Sequence, residues 1–152
     1  MNIHQFHTDG EGGWNTPPGI AAAPGRSLAL VFWSDMDEAA VRGAAGALRR
    51  SFDGAVIAGC SSGGVIQGGQ FLENAIGATL VTFEHTRIEA VAAMACDHPD
   101  NRALGRHLAR ALAHAGLSHV FVLSDGLAIN GCALSAGLAE ALPPHVGVTG
   151  GM

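Results

Sequence analysis

Residues 59 to 63 read Gly-Cys-Ser-Ser-Gly, the letters of the G-x-S-x-G turn that carries the serine nucleophile of many hydrolases. Ser61 is the nucleophile candidate on this reading, with Asp125 and His145 following in the order Ser, Asp, His. A chain with eight histidines supplies such an order by chance. The turn also needs a strand before the serine and a helix after it. The strand is present as the apolar run Ala55 to Ala58. The next residues, Gly64-Val65-Ile66-Gln67-Gly68-Gly69, oppose a helix, because each interior Gly costs about 1 kcal/mol relative to Ala. Cys60 is a second nucleophile candidate, and as a thiolate it needs a base or a positive neighbour. The sequence around it offers neither. A cysteine closing a buried strand is the plainer account, since cysteine is among the most buried residue types. A hydrolase or acyl transferase using Ser61 or Cys60 is therefore the alternative function, not the main one.

A second stretch bears on chemistry in a different way. Ser124-Asp125-Gly126-Leu127-Ala128-Ile129-Asn130-Gly131 comes after the apolar run Val120 to Leu123 and leads into a helical pattern. In open α/β sheets, ligands gather beyond the carboxyl ends of strands. Free N–H groups in a glycine loop or at a helix start suit a carboxylate or phosphate. Asp125 suits an ammonium or a hydroxyl group. Taken together, the two stretches would favour a small zwitterion such as an amino acid, with Cys60, Ser61 and Ser62 in the first and Ser124, Asp125 and Asn130 in the second. The competing account is that Asp125 and Asn130 satisfy backbone groups at a strand end and a helix cap. Both accounts stand on spacing alone.

Metal chemistry has less support. His4 and His7 are spaced H-x-x-H in an irregular stretch, and His107 and His114 are seven apart on a helical pattern. Neither H-E-x-x-H nor a pair of closely spaced cysteines occurs. No metal and no cofactor is expected.

The elements that must hold these loops can be read from periodicity. Residues 1 to 26 are rich in Gly, Pro and His, and Pro17, Pro18 and Pro24 argue against a helix, so an irregular arm pinned by Trp14 and Ile20 is expected. Leu28 to Trp33 is a buried strand. A helix comes next, opened by Asp35 with Glu38 three residues on, with Val41, Ala44, Ala45, Leu48 and Phe52 on one face. Ala75 to Phe83 and Ile88 to Ala95 read as a hairpin around Glu84-His85-Thr86-Arg87. Pro99 and Asp100 open a second helix with Gly116 past its end, and Asn130 caps a third that stops at Pro143-Pro144. Val146 to Val148 starts a last strand. The predicted order is β-α-β-β-β-α-β-α-β, an α/β fold with a mixed sheet and flanking helices.

Composition bounds the rest. The chain has 152 residues, 48% of them apolar and 14% charged, as in a globular domain. Its net charge of −5 and its scattered arginines give no footprint for nucleic acid. Three dispersed cysteines fit a reduced, cytoplasmic setting. No apolar run approaches the ~18 residues of a membrane span. Ending on Gly150-Gly151-Met152, just after a short strand, the chain reads as the front portion of a longer protein.

Three motifs in order now carry a resemblance. Val56 to Ile66, Leu123 to Gly131 and Val148 to Gly151 together resemble the N-terminal FIST domain, from about Ser27 to Met152. The resemblance implies a bacterial sensory module that binds a small ligand, with amino acids as the suggested class. It also implies, as partner, a C-terminal FIST domain or a downstream signalling protein. Val65 stands where the family often has Glu, and the Pro-rich arm replaces a helix before the first strand. The expectation is a non-enzymatic sensory domain of residues 27–152, preceded by an arm of residues 1–26.

Overall fold

The apolar run 28–33 lies inside a four-stranded sheet in the computed structural model, which describes residues 1–9, 13–15 and 19–151. Pro17, Pro18 and Met152 lie outside the described residues. The chain divides into two compact units, Met1–Ile88 and Glu89–Met152.

In the first unit, β1 (Asn2–Thr8) and β2 (Ser27–Ser34) precede helix α1 (Glu38–Ser51), and β3 (Val56–Ser61), β4 (Val65–Gln67), β5 (Gln70–Leu72) and β6 (Ala75–Thr82) come after it. The main sheet runs β1-β6-β2-β3. β2 and β3 are parallel, while β6 is antiparallel to both β1 and β2, so the sheet is mixed as read. One face of the sheet carries Phe6, Ala29, Val31, Ile76, Ala78 and Leu80, which form a core with Ala44, Leu48 and Phe52. Full burial of a side chain such as Leu48 or Phe6 is worth ~1.5–3 kcal/mol. Trp14 braces this core, its ring edge-on to Phe6 at 5.4 Å and its Nε1 donating to the Ala44 carbonyl at 3.1 Å.

β4 and β5 form a separate hairpin with Val65↔Leu72, Ile66↔Phe71 and Gln67↔Gln70 in register. Its turn is Gly68-Gly69 with φ of 56° and 80°. A two-residue type I′ turn needs left-handed φ at both positions, which glycine adopts without strain.

In the second unit, a short 3-10 turn at Ala95–Asp97 leads to α2 (Asn101–Leu112), β7 (His119–Leu123), α3 (Gly131–Ala141) and β8 (Gly147–Gly151). β7 and β8 pair in parallel as a two-stranded sheet. Leu104, Ala109, Val120, Leu134, Leu138 and Leu142 make its core. The helices approach closely because a Cβ on Gly105 would lie 2.3 Å from the Leu134 carbonyl oxygen, and one on Gly137 2.1 Å from that of Arg102.

The α/β class and the mixed sheet match the sequence reading, and four local readings are corrected. Residues 2–8 of the expected irregular arm are strand β1, whose alternation buries Phe6 and Thr8 and leaves Ile3 and Gln5 exposed. Residues 88–94 form no strand; the run is rich in Ala, which suits strands poorly, and Val91 and Met94 are exposed. The N-cap of α1 is Asp37, whose carboxylate accepts from the Ala40 N–H at 2.7 Å, whereas Asp35 sits just before it at φ 48°. Helix α2 ends at Leu112, before the Gly116 expected to cap it.

Candidate functional site

The first loop begins inside the sheet. β3 continues through Cys60 and Ser61, and β4 starts within four residues, so the helix that a nucleophile elbow requires is absent after Ser61. Cys60 pairs in register with Phe32 and Ser61 with Trp33. Side chains alternate along a strand, so Cys60 and Ser61 face opposite sides of the sheet. Cys60 is half-buried and free, on the face away from the α1 core. The Ser62 N–H donates to the Trp33 carbonyl at 2.7 Å, which fixes the loop to β2. The Ser62 hydroxyl donates to the Gly64 carbonyl at 2.8 Å and accepts from the Gly64 N–H at 3.4 Å.

That loop and the hairpin border a pocket of about 230 Å³ on the sheet face opposite α1. Gln5 and Thr79, register partners on β1 and β6, stand on its floor, and the Gln5 amide donates to the Thr79 hydroxyl at 3.4 Å. Phe32 lines it from β2, and Ser62, Gly64, Val65, Ile66 and Gln67 from the loop and hairpin. Val65 anchors the hairpin over Gly77, where a Cβ would come within 2.5 Å of its Cγ1. Gly64 sits under Phe71, where a Cβ would meet the ring at 2.1 Å. Both glycines therefore exist for close approach of the hairpin.

The second loop lies in the other unit. The Asp125 carboxylate accepts from the N–H groups of Leu127 and Ala128 at 2.8 and 3.2 Å. The Asn130 side chain accepts from the Ala133 N–H at 3.0 Å and caps α3. Both residues thus take the backbone roles of a strand-end turn and a helix cap. The Ser124 N–H donates to the Gly151 carbonyl at 3.1 Å, while its hydroxyl oxygen is buried without a partner among the described residues. The six candidate residues divide three and three between the units: Cys60, Ser61 and Ser62 in the first, Ser124, Asp125 and Asn130 in the second.

The perturbed ionisable groups lie away from both loops. Glu140 on α3 is held below the usual carboxylate range by Arg102 first and Arg106 second, and its partner Arg102 is raised in turn. The Arg102 Nε and the Arg106 guanidinium donate to Glu140 at 2.7 and 3.1 Å, tying α2 to α3. Glu84 is lowered by its bond to the chain's own amino terminus. No group of three or more metal-ligating side chains occurs among the described residues. Nor is any helix among them long and apolar enough to cross a membrane.

Sequence reasoning missed Gln5, Phe32, Gln67, Gly77 and Thr79 of the pocket. Two signals were available for part of it. Gly68-Gly69 between Val65-Ile66-Gln67 and Gln70-Phe71-Leu72 is a two-residue hairpin signature. The alternation of Ile3, Gln5 and His7 against His4, Phe6 and Thr8 is the period of a strand.

Comparison with known proteins finds no match among curated proteins and none among solved structures. The family model of the FIST N domain, a signalling and sensory domain, matches residues 27–152, from the start of β2 to the end of the chain. On that match, which covers most of its length, the chain belongs to the FIST N domain family.

Proposed function

We propose that the chain is a sensory domain that binds a small polar ligand in bacterial signal transduction, in the cytoplasm, without catalysing a reaction. It passes the signal to a C-terminal FIST domain or a downstream signalling protein. The observation that carries this reading is the pocket on the sheet face opposite α1, with the glycine loop that follows β3 contributing Ser62 and Gly64 to its wall. Membership of a sensory family supports it. Ser62 lines this pocket; Cys60 and Ser61 beside it in the first unit and, as a separate set in the second unit, Ser124, Asp125 and Asn130 are the other proposed ligand-binding residues. Amino acids are the ligand class that the family resemblance implies. A thermal-shift screen of amino acids and other small polar metabolites tests it. A ligand at a hundredfold excess over Kd stabilises by ~2.7 kcal/mol. A flat response across the whole screen counts against ligand binding. Asp125→Ala binding as well as the parent removes that residue from the proposed set.

A further inference from the structure

The pocket of the first unit has a chemical bias that its position alone does not imply. Among the described residues its lining contains no ionisable side chain: the polar groups are the Gln5 and Gln67 amides and the Ser62 and Thr79 hydroxyls. Amides and hydroxyls both donate and accept, so they match neutral groups that do the same. A charged ligand would give up water for partners that carry no opposite charge, a costly exchange. Two backbone donors of the loop are engaged as well, the Ser62 N–H with the Trp33 carbonyl and the Gly64 N–H with the Ser62 hydroxyl. The Gln67 amide has no hydrogen-bond partner among the described residues, and it lines the pocket from the hairpin while the Gln5–Thr79 pair lines it from the sheet. Phe32 and Val65 supply an apolar wall. With a volume of about 230 Å³, against the ~30 Å³ of a liquid water, the space suits a molecule of fewer than roughly ten heavy atoms.

We infer that this pocket takes a small uncharged ligand bearing an amide or hydroxyl group, clasped between the β1–β6 floor and the β4–β5 hairpin. The inference rests on the small-ligand reading and narrows it: this pocket prefers a neutral ligand to a free amino acid with both its charges. The test uses propionamide, propionate and alanine, which are close in size and differ in charge. In amide NMR spectra of the whole chain, propionamide should move the Gly64, Gly77 and Thr79 signals saturably, while propionate and alanine leave them in place. Gln67→Leu removes a side chain without a protein partner and should weaken the propionamide response severalfold with an otherwise unchanged spectrum. Equal movement of the three signals by propionate or alanine overturns the inference. So does their failure to move with propionamide at any soluble concentration, or an unweakened response in Gln67→Leu. If amino acids stabilise the chain in the thermal screen while propionamide leaves these three signals still, the pocket assignment falls and the sensory reading survives.

Discussion

β2–α1–β3 in the first unit and β7–α3–β8 in the second share one local plan. Each has a strand running into Ser-Asp, a helix capped by an Asx side chain, and a parallel strand that ends among glycines. Ser34 and Ser124 even share a buried hydroxyl without a partner among the described residues. The surroundings differ. β2 has β6 on its other edge, and β6 has β1 beyond it, so the first strand pair is built into four strands. β7 and β8 form a sheet of two, and every residue of β8 is exposed. A strand pair of that size is marginal without a helix packed on it. The second unit therefore depends on its helices, and α2 and α3 meet at backbone distance through Gly105 and Gly137. The same local sequence code thus yields a pocket-bearing sheet in one place and a helix-supported strand pair in the other.

That contrast can be broken most forcefully at the cores. Leu48→Ala and Leu138→Ala remove side chains of residues that are 0% and 2% exposed, and each should cost ~2–5 kcal/mol in denaturant unfolding. If Leu138 supports the second unit through its helices, its loss should accelerate amide exchange on β7 as well as α3. Protection of β7 that survives Leu138→Ala would show that the strand pair stands without the helix. A smaller effect is expected at the caps. Asp37→Ala and Asn130→Ala each leave one helix N–H unpaired, at about 1 kcal/mol apiece. Equal losses would extend the shared plan to its energetics, and a negligible loss at Asn130 would free that residue for another role. The smallest effect concerns pH. Glu140 is lowered in the folded state, so its contribution is complete above the ordinary glutamate range and disappears as pH falls through its depressed value. Glu140→Gln should flatten the acid limb of the stability profile, slightly because the pair is exposed to solvent. An unchanged profile would show that the α2–α3 tie is not electrostatic.

Legibility in the sequence depended on the source of order. Asn130, Leu134, Leu138, Leu142 and the Pro143-Pro144 stop specify α3 locally, and the structure has it there. Strand β1 escaped because its alternation is written in His, Gln and Thr, and its order comes from pairing with β6, some seventy residues away. Residues 88–94 failed the opposite way: apolar letters without a strand to pair with stay irregular. The site divides similarly. The glycine loop announced itself by composition, but Gln5 and Thr79 are neighbours only through register, which no local pattern encodes.

The bracing of the first core by Trp14 has an optical consequence. Both tryptophans of the chain, Trp14 and Trp33, belong to the first unit, and the sequence contains no tyrosine. Emission excited in the indole band is therefore a private signal of Met1–Ile88, the unit that holds the pocket. The second unit, with no such chromophore, is silent in the same measurement. A single cuvette can follow the pocket's half of the protein without a label.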